Sequence, residues 1–255
     1  MNAFVVGYSS NYLPGFNALR NSIQKYAPTA YLYSFQNESV QGTAIERFRI
    51  ASEIAPDYDA ICLLDADMFL TANVDLFFEL ASKGYIVTGS NGMIIDFNKE
   101  YQARYEVDLG CESYPYTKIH TTVPIFISKA DTDWFDALYN SRRIDSFDDF
   151  LYLNILGIKM GKDKKMIQIP ASQCTNIHHW MVKPETSIRV MGDKLLNGSE
   201  EQIYMIHGKL WDEGYINDLW LVMSKYLDDW QMGSKCQERT KDAISILKQQ
   251  FENLK

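Results

Sequence analysis

The chain has 255 residues, 46% of them hydrophobic, and a formal net charge of −8. That length and composition exclude a disordered or fibrous chain and fit one large domain or two small ones. The acidic balance argues against a large nucleic-acid footprint, and no apolar run approaches the ~20 residues that a membrane-spanning helix needs. Cys62, Cys111, Cys174 and Cys236 are scattered without a CxxC pair. This spacing argues against a zinc ribbon and fits free thiols in a reducing compartment. The opening MNAFVVGYSS lacks the basic start and long apolar core of a secretory signal, so the expectation is a cytoplasmic protein.

AFVVGY reads as a buried first strand, and SSNYLPG as a loop with Pro14 near a helix start. Phe16, Leu19, Ile23 and Tyr26 recur at helical spacing. AYLYSF at 30–35 is a second strand. Over 43–55 a helix carries the stripe Ile45, Phe48, Ser52 and Ala55. The unbroken apolar run of DAICLLDA predicts a third strand, buried on both faces. A helix opens at Asn73-Val74-Asp75 and runs through Leu80, and GYIVTGS at 84–90 is a strand. This alternation over the first ~95 residues predicts a mostly parallel α/β sheet flanked by helices.

The second half is less regular. TVPIFISKA at 122–130 is a strand, and DTDWFDALYNS a capped helix. SFDDFLYLNILGIK is a helix, KMIQIP a strand, and EQIYMIHGKLW a strand ending in a polar cluster. The last ~20 residues form a terminal helix, read as ordinary packing or as a partner or membrane contact. One continuous domain over 1–255 is expected, with a nucleotide-binding part at 1–95 and a smaller α+β acceptor part with C-terminal helices at 96–255.

Asp65 and Asp67 fall where the third strand should end, and ligands in open α/β sheets bind at the carboxyl ends of strands. Side chains two apart in extended chain point the same way, so the two carboxylates are pushed together. Uncompensated, they would repel and one would protonate. A divalent cation resolves this, and hard oxygen ligands suit Mg²⁺ or Mn²⁺. The bland alternative is a pair of strand-end turn formers. His207 closes IYMIH and offers a third ligand, or else is a structural histidine. Gly208 permits close backbone approach, and Lys209 can neutralise a phosphate.

The block FRIASEIAPDYDAICLLDADMFLTANVDLFFEL resembles the central segment of family 8 glycosyltransferases of GT-A fold, which include glycogenin and bacterial lipopolysaccharide galactosyltransferases. VVGYSSNYLPGFNALRNSI resembles their first strand and nucleotide loop. HGKLW is similar to a shortened form of their C-terminal His-Gly-Lys-Pro-Trp motif. The resemblance implies that Asp65, Asp67 and His207 hold Mn²⁺ (or Mg²⁺), and that Ala66, Gly208 and Lys209 lie along the donor diphosphate. It places Tyr8, Ser9, Asn11 and Tyr12 in the uridine loop, with Ser9 where an acidic residue usually meets uracil. It puts Arg49 near the donor sugar, and the helical stripe agrees by turning Arg47 outward. A family Asn-Ala-Gly strand is replaced near Val123 and Pro124. Asp149, in SFDDFLYLN, matches the acidic helix start near the anomeric carbon, whereas Asp148 fits a carboxylate favoured by the helix macrodipole.

The implied activity is metal-dependent transfer of a hexose, glucose or galactose, from a UDP-sugar with retention. The acceptor would be a glycan, a lipid-linked sugar or a protein, and a lipid-linked acceptor would make the enzyme peripheral to a membrane. The acceptor would sit under 91–121 and under CTNIHHWMVKPE, where His178, His179 and Trp180 form an aromatic platform or a surface loop. Two rivals stand beside this reading. A haloacid-dehalogenase-type phosphotransferase also ends an apolar strand in DxD, but it carries the motif on its first strand. A non-catalytic nucleotide-sugar binder would keep the fold without turnover.

Overall fold

The computed structural model describes residues 1–90, 94–117, 120–141, 149–177, 187–229 and 234–255. In chain order the elements begin with β1 (Asn2–Tyr8), α1 (Leu13–Tyr26), β2 (Tyr31–Gln36), α2 (Val40–Ile54), β3 (Ala60–Asp65), β4 (Met68–Leu70) and α3 (Asp75–Ser82). Next come β5 (Ile86–Ser90), β6 (Ile95–Asp96), α4 (Lys99–Arg104), β7 (Pro115–Tyr116), β8 (His120–Ile127), α5 (Asp133–Ser141), α6 (Asp149–Lys159) and β9 (Met166–Ile169). The chain closes with β10 (Cys174–Asn176), β11 (Arg189–Met191), β12 (Lys194–Leu196), β13 (Met205–His207), α7 (Glu213–Asp229) and α8 (Ser234–Glu252). Among the described residues no helix is long and apolar enough to cross a membrane.

The chain divides into two compact units. The first comprises Met1–Ser10, Thr29–Asp65 and Asp75–Pro170, and the second Asn11–Pro28, Ala66–Val74 and Ala171–Lys255. The first is built on a six-stranded sheet of order β2-β1-β3-β8-β5-β9. β1 pairs parallel with β2 and β3, and β5 with β9, while β8 runs antiparallel between β3 and β5. The expected mixed, mostly parallel sheet is therefore present. β3 has neighbours on both sides, and Ala60–Leu64 are at most 1% exposed. An apolar run without alternation suits such a strand, because both of its faces are covered.

Rings build the core on α3. Phe78 meets Phe4 at 5.1 Å and Phe126 at 5.0 Å, in edge-to-face geometry. Each such buried ring contributes roughly 1.5–3 kcal/mol through area removed from water. Ser39 caps α2 by accepting from the Gly42 amide at 3.1 Å, and α2 packs on β1 and α5. On α5, Trp134 is fully buried and donates to the Leu153 carbonyl of α6 at 3.2 Å. The Lys162 ammonium is buried but bonded to Asp131 at 2.9 Å and Asp133 at 2.6 Å, as an interior charge requires.

The second unit is organised around a small sheet of order β10-β13-β4. Phe69 of β4 and Ile206 of β13 lie in one cluster with Ala18 of α1, Leu210, Leu219 of α7, and Leu247 and Phe251 of α8. The terminal helix therefore packs on its own unit, the first of the two readings of that segment. The predicted strand over 201–211 contracts to three residues. Its N-terminal half turns instead toward β12: Ile203 N donates to Leu195 O at 2.9 Å, and Gln202 bridges to Leu196. β4, directly after the DxD motif, is a strand that the hydrophobic pattern does not announce.

Candidate functional site

In the first unit β1 delivers Tyr8 to the carboxyl edge of the sheet, where its carbonyl accepts from Asn37 N at 2.9 Å. Ser9 follows, half-buried, and Ser10 Oγ donates to Glu38 Oε1 at 2.6 Å. Gln36 Nε2 also donates to Glu38 Oε1, at 2.7 Å. These donors, Ser10 first, hold the exposed Glu38 carboxyl below the usual carboxylate range. β3 ends at Asp65, whose Oδ1 accepts from Arg47 Nη1. Arg47 is only 4% exposed.

That contact corrects the expected facing of α2. Arg47, Phe48, Ala51 and Ala55 are buried, so Phe48 and Ala55 of the expected stripe hold their places while Arg47 and Ala51 take the inward positions expected of Ile45 and Ser52. Ile45 is only half-buried, and Arg47 takes the inward position with its charge satisfied by Asp65. Arg49 lies on the flank, with its side chain 37% exposed, bonded to Glu46 at 2.6 Å and to Glu53 at 2.5 Å. The Val123–Pro124 peptide in β8 is cis. Asp149 is the first residue of α6, but its side chain lies outside the described residues, as do Asp148, His178, His179 and Trp180 altogether.

The second unit gathers Tyr12, Asp67, His207, Gly208 and Lys209. β4 and β13 pair antiparallel, with Met68 opposite His207. That register sets Asp67, one residue before β4, beside the end of β13. His207 Nε2 stands 3.2 Å from Asp67 Oδ1, and Gly208 N donates to the Asp67 carbonyl at 2.9 Å. Burial pushes the Asp67 carboxyl up. The charge and hydrogen bond of His207, a backbone hydrogen bond and the Lys209 charge together outweigh it, and the carboxyl is held below the usual range. Ala66 is buried. Gly208 has φ of 147°, a conformation that side chains resist, and a Cβ there would lie 2.5 Å from Ile177 Cγ2.

Lys209 Nζ lies 4.5 Å from the Tyr12 ring centroid and 5.7 Å from that of Tyr215. Burial alone would lower its pKa, but the Tyr12 hydrogen bond and the Asp67 and Asp212 charges raise it above the ordinary lysine value. Trp211 packs edge-on to Tyr12 at 5.8 Å. It comes so close to Gly15 on α1 that a Cβ there would be 2.4 Å from its ring. Asn11, from the same loop, is exposed. Sequence reasoning did not single out Tyr215. Its one signal is position, three residues after the helix-capping Asp212, whose Oδ1 accepts from Tyr215 N at 2.9 Å.

Within this unit a carboxylate and an imidazole converge beside a lysine. Such a donor set suits a divalent metal with an anionic ligand. No protein-family model and no curated protein matches the sequence. Solved structures do match. The bifunctional glycosyltransferase WbbM aligns with a TM-score of 0.55 at 10% identity, over 87% of this chain and 49% of that one. The chain thus spans about half the length of WbbM. The chain has a glycosyltransferase fold of the GT-A type. The galactosyltransferase LgtC, solved with donor and acceptor sugar analogues, aligns at 10% identity over 88% of this chain and 95% of its own, with a TM-score of 0.49. The glycosyltransferase GlyE of Streptococcus pneumoniae TIGR4 aligns at 13% identity over 92% and 64%, with a TM-score of 0.47.

Proposed function

We propose that the protein is a metal-dependent glycosyltransferase that moves a hexose from a UDP-sugar to an acceptor, with retention at the anomeric carbon. The observation that carries this reading is the Asp67–His207 pair at 3.2 Å with Lys209 following on the same turn, in a chain of glycosyltransferase fold. Asp65, two residues before Asp67 in the chain, adds a second carboxylate to the proposed ligand set. Carboxylates suit either Mn²⁺ or Mg²⁺, and the imidazole favours Mn²⁺, the softer of the two. Bound there, the cation supplies Lewis-acid neutralisation of diphosphate oxygens.

The chain's own residues do the rest. Lys209 offers a fixed positive charge where negative charge grows on the departing diphosphate, and such preorganised charge costs little reorganisation during reaction. Arg47 holds the Asp65 carboxylate in one orientation, so the arginine role goes to Arg47 rather than to Arg49. Gly208 lets the backbone approach the ligand closely. Tyr8, Ser9, Asn11 and Tyr12 form the nucleoside loop, with Ala66 beneath the diphosphate. The resemblance to family 8 enzymes is what assigns Asp149 to the anomeric carbon. Orientation of donor and acceptor supplies most of the rate.

A thermal-shift series with UDP, UDP-glucose and UDP-galactose, each with and without Mn²⁺, tests this, followed by an assay of UDP release. Stabilisation that requires both UDP and Mn²⁺, with slow donor hydrolysis, is expected. At a hundred times Kd, ligand stabilises by about 2.7 kcal/mol, which such a scan resolves. No shift with UDP, together with phosphatase activity, would replace the reading with phosphoryl transfer. Binding without turnover would reduce it to a nucleotide-sugar binder.

A further inference from the structure

The geometry points to Tyr215 as a positioning residue: its ring and that of Tyr12 hold the Lys209 ammonium between them for the nucleotide diphosphate. This rests on the reading that Lys209 meets that diphosphate. A lysine stem has four rotatable bonds, and a freely rotating ammonium is a poor preorganised ligand. Here Nζ lies 4.5 Å from one ring centroid and 5.7 Å from the other, within the ~6 Å at which ring quadrupoles attract a cation.

Each ring has its own anchor. Tyr12 is braced edge-on by Trp211. Tyr215 enters at the first turn of α7, its amide donating to Asp212 Oδ1 at 2.9 Å, while Asp212 N donates back to the Lys209 carbonyl at 3.2 Å. The turn that carries the lysine and the helix start that carries the ring are thus one hydrogen-bonded piece. Tyr215 also packs against the apolar cluster of its unit, so a purely structural role is the alternative to be separated.

A double-mutant cycle read by calorimetry of UDP in saturating Mn²⁺ separates them, using Tyr215→Phe, Tyr215→Leu, Lys209→Met and Tyr215→Leu combined with Lys209→Met. Tyr215→Phe keeps the ring and should bind UDP within about twofold of the parent. Tyr215→Leu should weaken UDP about three- to tenfold while Lys209 is present, and by less than about twofold once Lys209 is methionine. Equal weakening in both backgrounds, or none in the parent, would overturn the assignment.

A second arm needs no nucleotide. In ¹³C-lysine-labelled protein the Lys209 ε-methylene, identified by its loss in Lys209→Met, should be shifted upfield by the ring currents. It should stay so in Tyr215→Phe and move toward the free-lysine position in Tyr215→Leu. An unshifted methylene in the parent also overturns the cradle. If the parent shows the shift but no Mn²⁺-dependent UDP binding, the cradle stands and the glycosyltransferase reading fails.

Discussion

Arg47 and Arg49 sit two residues apart on one helix and have opposite fates. Arg47 is 4% exposed and bonded to Asp65, and Arg49 pairs with two glutamates at the surface. Arg47→Met should cost about 1–3 kcal/mol, less than the ~3–5 of a fully buried pair because Asp65 keeps some solvent contact. It should also slow sugar transfer. Arg49→Ala should cost about 0–1 kcal/mol, as exposed pairs do, with UDP release unchanged. Urea unfolding and a UDP-release assay on both variants check this, and a larger effect at Arg49 would reverse the assignment. The sequence contained the evidence for this facing. Ala51 and Ala55 follow Arg47 at intervals of four, but a charged residue in an apolar stripe is normally set aside, and only the tertiary partner at Asp65 explains it.

At the scale of elements, legibility followed pattern strength. β3 was readable because a strand covered on both faces needs an unbroken apolar run, and a run this short, bounded by Asp59 and Asp65, suits a strand better than a helix. β4 was not readable. It is three residues long, and its identity comes from pairing with β13, a segment well over a hundred residues away. β13 itself looked longer, because the apolar residues of 203–206 do not reveal that Ile203 bonds across to Leu195. The turn after β13 makes the sharpest element-scale prediction. Gly208 combines φ of 147° with a Cβ position 2.5 Å from Ile177, whereas Gly192, at φ of 65°, has open space around it. Gly192→Ala should cost ~1 kcal/mol of conformational strain only. Gly208→Ala adds the clash, and should lower the melting temperature further and weaken UDP·Mn²⁺. Equal melting shifts for the two variants would contradict the close approach.

For the whole molecule, strand–helix alternation identified an α/β sheet, and the fold matches. The antiparallel insertion of β8 between β3 and β5 was not legible, since strand direction is set by connections that hydrophobic period does not encode. Nor does composition show that the chain divides into two compact units, or that the boundary falls inside the DxD motif, between Asp65 and Ala66. The candidate ligands were legible by residue type and by their place at strand ends. What the structure adds is the 3.2 Å approach of Asp67 and His207, the burial of Arg47 and the two rings on Lys209. The central claim is that Asp67 and His207 bind a divalent cation, with Lys209 meeting the nucleotide diphosphate. Calorimetric titration of UDP into the protein and into Asp67→Ala, each with and without Mn²⁺, tests it most directly. The account predicts Mn²⁺-dependent binding in the parent that weakens at least about a hundredfold, roughly 2.7 kcal/mol, in the variant. Retention of Mn²⁺-dependent UDP binding by a folded Asp67→Ala protein would contradict it.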